Sequence, residues 1–108
     1  MRECIFCKIV RGEVPADFVY QDEQLVIFTD HKPRAPIHLL IVPSKHIEEL
    51  EELDGELLLK IRDKIVEIVK EKNLAQEGYK ILNNGGLAKD VDHLHFHLFG
   101  KTGKGLNI

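Results

Sequence analysis

Three histidines, His93, His95 and His97, alternate with apolar residues near the end of the chain. In an extended strand every second side chain points to the same face, so the three imidazoles would share one face, about 6.6 Å apart at successive positions. Imidazole titrates near neutral pH and can serve as nucleophile, acid, base or metal ligand. A single histidine on a strand needs no chemical explanation, but three in register indicate catalysis or metal binding, without deciding which.

Two cysteines, Cys4 and Cys7, have the Cys-x-x-Cys spacing that suits two thiolate ligands of one tetrahedral zinc ion. The other two ligands would have to come from the six histidines, at positions 31, 38, 46, 93, 95 and 97. Spacing alone does not choose among them. A redox pair would need a strand before the motif, and none is predicted there. Zinc is therefore favoured over plain core cysteines, and core cysteines over redox chemistry.

A loop and a strand end are weaker candidates. The asparagines and glycines of residues 82–86 would let backbone N–H groups approach an anion closely. Phe28 and Asp30 close a predicted strand, where they would place a carboxylate at the rim of an apolar slot formed with Ile5, Phe6 and Ile9. Taken alone, an ordinary turn and ordinary core packing are the plainer interpretations of these two patterns.

The elements that must position these residues follow from periodicity. Residues 4–11 predict a short helix, and residues 18–20, 25–29, 37–42, 79–82 and 93–99 predict strands, the first two forming a hairpin. Asp54 is a good N-cap for one long helix, whose core-facing stripe comprises Leu57, Leu58, Ile61, Ile65, Ile68 and Val69. We therefore expect an α+β fold, an antiparallel five-stranded sheet with one long helix and a short N-terminal helix, the helices packed on one face.

Length and composition exclude several classes of protein. The 108 residues are 44% hydrophobic and 31% charged, which is typical of a folded domain, and the length argues for one domain over residues 1–108. The formal net charge of -3 argues against nucleic-acid binding. No apolar run approaches the roughly 18 residues of a membrane span, and the N-terminus lacks the apolar core of a secretory signal. We expect no membrane partner and a cytoplasmic location.

Residues 93–99 resemble the signature of the histidine triad (HIT) family of nucleotide-binding proteins, His-φ-His-φ-His-φ-φ with φ apolar. Residues 4–15 resemble the start of the family's bacterial zinc-containing branch, and residues 28–30, 36–38 and 41–47 fall in the same order and spacing. The resemblance covers roughly residues 3–99. It implies a homodimer whose sheets join, and the hydrolysis of nucleoside phosphoramidates, nucleotidyl anhydrides or related compounds through a nucleotidyl-histidine intermediate.

The resemblance also implies a role for each catalytic position. His95, the middle histidine, would be the nucleophile, because neutral imidazole attacks phosphorus and water can later break the N–P bond. His93 and His38 would stand around the phosphate. Asn83 would hydrogen-bond near the α-phosphate or the leaving group. Neutralising the phosphate oxygens as the transition state forms would supply most of the acceleration.

A structural zinc ion and a purine nucleoside complete the set of ligands that the resemblance implies. Four protein ligands would close the zinc coordination sphere and leave no site for an activated water. These ligands would be Cys4, Cys7, His46 and the third triad histidine, His97. Asp30 would accept hydrogen bonds from the ribose hydroxyls. The base would pack among Ile5, Phe6, Ile9 and Phe28, an apolar slot that favours purines loosely.

The segment before the triad departs from the family, which commonly has Ala-Gly-Gln-x-Val there. This chain has Leu87-Ala88-Lys89-Asp90-Val91 there, which lacks the glycine and the glutamine. Lys89 could pair with an additional phosphate, whereas Asp90 and Asp92 could repel a phosphate or bind an amine leaving group. Two other functions therefore stay open, a nucleotide-binding regulatory module with little catalysis and a metal-binding protein that uses the histidine row directly.

Overall fold

The computed structural model describes residues 4–104. Five antiparallel strands form one sheet in the order β1-β2-β3-β5-β4. The strands are β1 (Phe18–Gln21), β2 (Leu25–Thr29), β3 (Ile37–Pro43), β4 (Tyr79–Leu82) and β5 (Phe96–Gly100). The helices are α1 (Ile5–Val10), α2 (Gly55–Glu71) and α3 (Leu74–Glu77), with 3-10 turns at Leu50–Glu52 and Gly86–Ala88. The predicted α+β class and five-stranded sheet are confirmed, whereas α3 and the two 3-10 turns were not predicted.

Helix α2 covers one face of the sheet. Asp54 caps its N-terminus, where the carboxylate accepts a hydrogen bond from the Leu57 backbone N–H at 2.8 Å. The buried side chains of α2 are Ile61, Ile65 and Ile68, which pack on strand residues that alternate along β2, β3 and β5: Leu25, Ile27, Leu39, Ile41 and Leu98. Leu58, predicted to face the core, is 44% exposed. It lies at the margin of the apolar stripe, beside the outer strand β4.

Helix α1 packs on the opposite face of the sheet, so the prediction that both helices share one face is wrong. Phe6 and Ile9 of α1 are buried against the other set of alternating strand residues, Val26, Phe28, Leu40 and Val42. The rings of Phe6 and Phe28 meet edge to face at 5.7 Å. Strands β2 and β3 are nearly continuous apolar runs, and such strands are typical of sheets buried on both faces. That feature of the sequence favours the observed arrangement.

Strand β5 begins at Phe96, three residues later than predicted, so His93 and His95 precede it. The backbone N–H of Leu94 bonds to the Ile47 carbonyl at 2.7 Å, outside the ladder that pairs β3 with β5. Within that ladder His38 lies opposite Phe99, and Leu40 lies opposite His97. The late start of β5 therefore separates the surroundings of His93 from those of His97. No helix among residues 4–104 is long and apolar enough to cross a membrane.

Candidate active site and metal site

A cavity of about 940 Å³ opens between α1, the end of β2 and the loops around residues 30–36 and 84–91. His95 and His97 line it, together with every residue predicted to hold the nucleoside: Ile5, Phe6, Ile9, Phe28 and Asp30. The other lining residues are Val14, Pro15, Ala16, Asp17, Thr29, His31, Lys32, Arg34, Leu40, Asn84, Ala88, Asp90 and Val91. The fold thus brings the apolar slot and two triad histidines to one site.

His95 is held so that one ring nitrogen is left for chemistry. Its Nδ1 donates to the His93 backbone carbonyl at 2.7 Å, and a carbonyl can only accept, so the proton lies on Nδ1. The Nε2 atom of His95 therefore carries the lone pair. Asn83 donates its side-chain N–H to the His95 carbonyl at 2.9 Å, and the Phe6 ring meets the His95 ring edge to face at 5.0 Å. The arrangement presents an oriented nucleophilic nitrogen at a largely apolar cavity.

His38 and His97 form a hydrogen-bonded pair beside His95. The Arg34 backbone N–H donates to His38 Nδ1 at 3.2 Å, which places the His38 proton on Nε2. That Nε2 then donates to His97 Nδ1 at 2.9 Å, so the proton of His97 lies on its own Nε2. His97 Nε2 is buried and has no hydrogen-bond partner among residues 4–104. An unpaired buried donor costs about 1–3 kcal/mol, and an oxygen of a bound ligand would relieve that cost.

Burial keeps these histidines neutral at pH 7. Removal from water lowers the pKa of His38 and of His93 below the ordinary value of 6.5. The pKa of His97 falls to about 4, chiefly because of burial and further because of the neighbouring rings of His95 and His38. Neutral rings have one donor and one acceptor nitrogen each, as the hydrogen bonds of His38 and His97 require.

A second cluster brings together Cys4, Cys7, His46 and His93, whose ligand atoms all lie within 4.8 Å of one another. His93 Nδ1 is 3.4 Å from the Cys4 Sγ and 3.6 Å from the Cys7 Sγ. His46 Nδ1 is 3.3 Å from the Cys7 Sγ. Tetrahedral zinc with its usual Zn–S and Zn–N bond lengths separates a sulfur from a nitrogen ligand by about 3.5 Å. These four residues could therefore hold a metal ion, and their spacing fits zinc.

The outer hydrogen bonds of the two histidines in this cluster favour the same conclusion. His93 Nε2 donates to the Pro43 carbonyl at 2.7 Å, and His46 Nε2 contacts the Glu48 carboxylate at 3.1 Å. Each bond leaves the Nδ1 lone pair directed at the sulfur atoms. Metal-ligating histidines are usually oriented in this way by a carbonyl or a carboxylate.

Two of the three alternating histidines lie elsewhere than predicted. His97, predicted as the fourth ligand, lies instead beside His38 at the cavity, and His93, predicted near the phosphate, lies beside the two thiols. The alternating sequence pattern places His93 and His97 on the same face of a strand and does not distinguish between them. The late start of β5 and the Leu94 bond to Ile47 bring His93 close to His46, whereas the β3–β5 ladder places His97 near His38.

A further group of possible ligands, Asp30, His38 and His97, lies at the cavity. The nitrogens of His38 and His97 face each other at 2.9 Å as donor and acceptor. In that arrangement they do not direct two lone pairs toward a common ion. His38 Nε2 is also 3.5 Å from the Asp30 carboxylate. The group is therefore better described as a hydrogen-bonded network than as a metal site.

Three predicted contacts of the loop before the triad have different outcomes. Lys89 does not line the cavity, because its ammonium pairs with the Glu49 carboxylate at 2.6 Å and only 4% of its side chain is exposed. Asp90 does line the cavity, 3.7 Å from His95 Nε2. The side chain of Asn83 bonds to the backbone carbonyl of His95 and does not line the cavity. The asparagine that lines the cavity is Asn84. The structure thus places Lys89 outside the cavity lining.

Sequence reasoning missed the groups that orient the histidine rings. These groups are backbone atoms: the carbonyls of Pro43 and His93 and the N–H of Arg34. Since every residue except proline has the same backbone polar groups, no side-chain pattern could have identified them. The position of His97 was missed for a different reason, because its partner His38 is 59 residues away in the chain.

Comparisons with known proteins found similar proteins that match nearly the whole chain. A family profile described as "Scavenger mRNA decapping enzyme C-term binding" matches residues 3–107. An uncharacterised HIT-like protein of Methanocaldococcus jannaschii is 46% identical over 100 residues, covering 88% of this chain and 76% of the relative. The purine nucleoside phosphoramidase of Escherichia coli K12 is 36% identical over 105 residues, covering 91% of this chain and 87% of that enzyme. A solved HIT family hydrolase from Legionella pneumophila is similar with a TM-score of 0.86 at 35% identity, covering 97% of this chain and 96% of the other.

Proposed function

The chain belongs to the histidine triad (HIT) family, and on that premise we propose that it is a nucleotide-binding hydrolase that cleaves nucleoside phosphoramidates or related nucleotidyl compounds. The observation that carries the proposal is the pair of nitrogens at the cavity. His95 Nε2 has a free lone pair, and His97 Nε2–H has no hydrogen-bond partner in the described part of the chain. A nucleophile beside an unsatisfied donor suits attack on phosphorus, where negative charge on oxygen must be stabilised.

The proposed reaction has two displacements at phosphorus. His95 Nε2 forms a bond to the α-phosphorus while the bond to the leaving nitrogen breaks, and that nitrogen keeps the electron pair and takes a proton from water. Hydroxide from that water then attacks the nucleotidyl-histidine, and the N–P bond breaks with its electron pair returning to Nε2. The proton stays on Nδ1 and remains hydrogen-bonded to the His93 carbonyl throughout, so this hydrogen bond holds the ring while it carries positive charge.

His97 and His38 would act on the phosphate oxygens. The relay from the Arg34 N–H through His38 to His97 fixes a donor at the position where oxygen charge develops. Removing one such preorganised donor costs about 10²–10³ in kcat in other enzymes. We assign this role to His97 rather than to His93. Asn83 would act indirectly, because it holds the backbone of His95.

We propose zinc as the metal held by Cys4, Cys7, His46 and His93. With four protein ligands the ion would supply structural stability rather than an activated water. The His93 carbonyl accepts the Nδ1 proton of His95, so the residue that ligates the metal also orients the nucleophile. The metal site and the active site would thus be joined through one residue.

The nucleoside would occupy the apolar end of the cavity. Phe6, Ile9 and Phe28 are buried there and offer flat or aliphatic surface to a purine base. Asp30 lines the same cavity with an 18% exposed side chain, and its carboxylate would accept hydrogen bonds from the ribose hydroxyls. A slot with one polar anchor discriminates weakly between bases.

We further propose a homodimer. A second groove of about 490 Å³ lies between α2 and the outer strand β4. Its lining includes three exposed apolar side chains, Leu58, Tyr79 and Ile81. An apolar face beside an unpaired strand edge is a favourable surface for joining two sheets.

The test of the proposed function is intact-protein mass spectrometry after brief incubation with an adenosine 5′-phosphoramidate, quenched above neutral pH to preserve the N–P bond. The wild-type protein should show an adenylyl adduct or rapid product formation. The His95→Ala variant should show neither, while keeping its metal content and its circular dichroism spectrum. Wild-type turnover by His95→Ala would refute the role of His95. Nucleotide binding without turnover in the wild-type protein would favour the regulatory module instead.

A further inference from the structure

Asp90 is the charged side chain nearest to the attacking nitrogen for which the proposed reaction has no use. Its carboxylate oxygen is 3.7 Å from His95 Nε2, and 77% of its side chain is exposed at the cavity. In the neutral ring of His95, with its hydrogen on Nδ1, Nε2 has no hydrogen to share with Asp90. The carboxylate is therefore available to a bound substrate.

Hydrogen bonds to Glu48 and Glu49 hold the loop that carries Asp90 in place. Glu49 accepts hydrogen bonds from the Gly86 backbone N–H at 3.2 Å and from the Lys89 ammonium at 2.6 Å. Lys89 also donates to the Glu48 carbonyl at 3.0 Å. Gly86 and Lys89, which make these contacts, precede Asp90 closely in the chain. The contacts fix the backbone from which the carboxylate reaches the cavity.

The same contacts remove the cation that would otherwise neutralise Asp90. Lys89 is the adjacent residue, but its ammonium is buried against Glu49. The cationic residues that line the cavity, Lys32 and Arg34, belong to a different loop, which follows Asp30. The neighbourhood of His95 Nε2 thus has a negative charge from Asp90, without Lys89 to offset it.

We infer that Asp90 determines leaving-group specificity, so that the enzyme prefers amine leaving groups that carry an additional positive charge and discriminates against anionic ones. This inference rests on the proposed function. Nε2 attacks in line with the departing group, so that group leaves from the side of phosphorus opposite His95. Asp90 lies on the His95 side, and its carboxylate therefore acts on charges that a chain on the departing nitrogen carries back along the cavity. An ammonium group there is attracted by the carboxylate, and a carboxylate or phosphate is repelled.

The magnitude follows from the exposure of Asp90. Because the side chain is largely in water and lies across the phosphate from the departing nitrogen, we use two charges about 6 Å apart in a water-like medium, about threefold in rate for one charge. Between a positively and a negatively charged leaving group the difference should be about tenfold or more. Salt should reduce it, since exposed charges are screened.

The test uses three adenosine 5′-phosphoramidates with the same P–N bond and a three-carbon chain on nitrogen that ends in an ammonium, a methyl or a carboxylate group. The quantity compared is the ratio of kcat/KM for the ammonium and carboxylate substrates. Intrinsic reactivity is the same for every enzyme, so it cancels when this ratio is compared between variants. The test variant is Asp90→Asn, which keeps the size and removes the charge. The matched control is Asp92→Asn, which removes the same charge from an exposed position of the same loop outside the cavity lining.

We expect Asp90→Asn to lower the ratio about tenfold and Asp92→Asn to change it less than about twofold. An unchanged ratio in an active Asp90→Asn protein would overturn the inference and leave the proposed function intact. An equal loss in both variants would also overturn it, because the effect would then be one of overall charge. Failure of the wild-type protein to hydrolyse any of the three substrates would overturn the proposed function itself, and the inference with it.

Discussion

Replacing His97 by glutamine should make folding less sensitive to acid. In the unfolded chain His97 binds a proton below its ordinary pKa of 6.5, whereas in the folded protein burial lowers that pKa to about 4. At a pH between these two pKa values, the unfolded chain binds more protons at this position than the folded protein does. The stability associated with neutral His97 is therefore fully present above pH 6.5 and is lost as the pH falls toward 4. Glutamine cannot titrate, and its side-chain oxygen can still accept the hydrogen bond from His38.

The size of the effect follows from the two pKa values. At pH 7 the unfolded chain is mostly unprotonated at this position, so the group contributes little difference in proton binding. At pH 5 the unfolded chain is almost fully protonated and the folded chain is not, which lowers the free energy of unfolding of the wild-type protein by about 2 kcal/mol. His97 is 4% exposed, so little of this effect is lost to solvent screening.

The assay is urea unfolding of both proteins at pH 7 and pH 5, followed by circular dichroism at saturating zinc. Zinc release in acid affects both proteins, because His97 is outside the cysteine-containing cluster, and it cancels in the comparison. The control is His31→Gln, since the side chain of His31 is 86% exposed. The reasoning is refuted if His97→Gln and the wild-type protein lose the same stability between the two pH values.

The remaining predictions concern the metal and the aromatic contact behind the nucleophile. Cys7→Ser should lower the metal content from about one equivalent per chain to nearly none, because the site loses a thiolate, and it should also lower Tm. Metal analysis and calorimetry would measure the two effects. Retention of a full equivalent of metal would contradict the ligand assignment. Phe6→Ala should destabilise the fold by about 3 kcal/mol, since the buried Phe6 ring contacts Phe28 and His95. The control Phe18→Ala, at a 38% exposed position, should cost less than about 1 kcal/mol in the same urea titration.

Local pattern determined much of the fold. The predicted strand of residues 79–82 matches β4 from end to end, and the N-cap at Asp54 marks the start of α2. These features depend on side-chain periodicity and on hydrogen bonds between residues close in the chain, so they can be read from a short window. The residue types that could carry out catalysis or bind a metal could be predicted in the same way, since three alternating histidines and a Cys-x-x-Cys pair are local patterns.

Tertiary structure decided which histidine does what. By sequence alone His93 and His97 are equivalent members of one alternating row. The histidine that lies with Cys4, Cys7 and His46 is His93 rather than the predicted His97. The structure distinguishes them because His46 and the thiols approach His93, while His38 approaches His97 across the sheet. Likewise the role of Lys89 depends on Glu49, which is 40 residues away in the chain. A role that depends on a partner distant in sequence is determined only when the folded chain brings the two together.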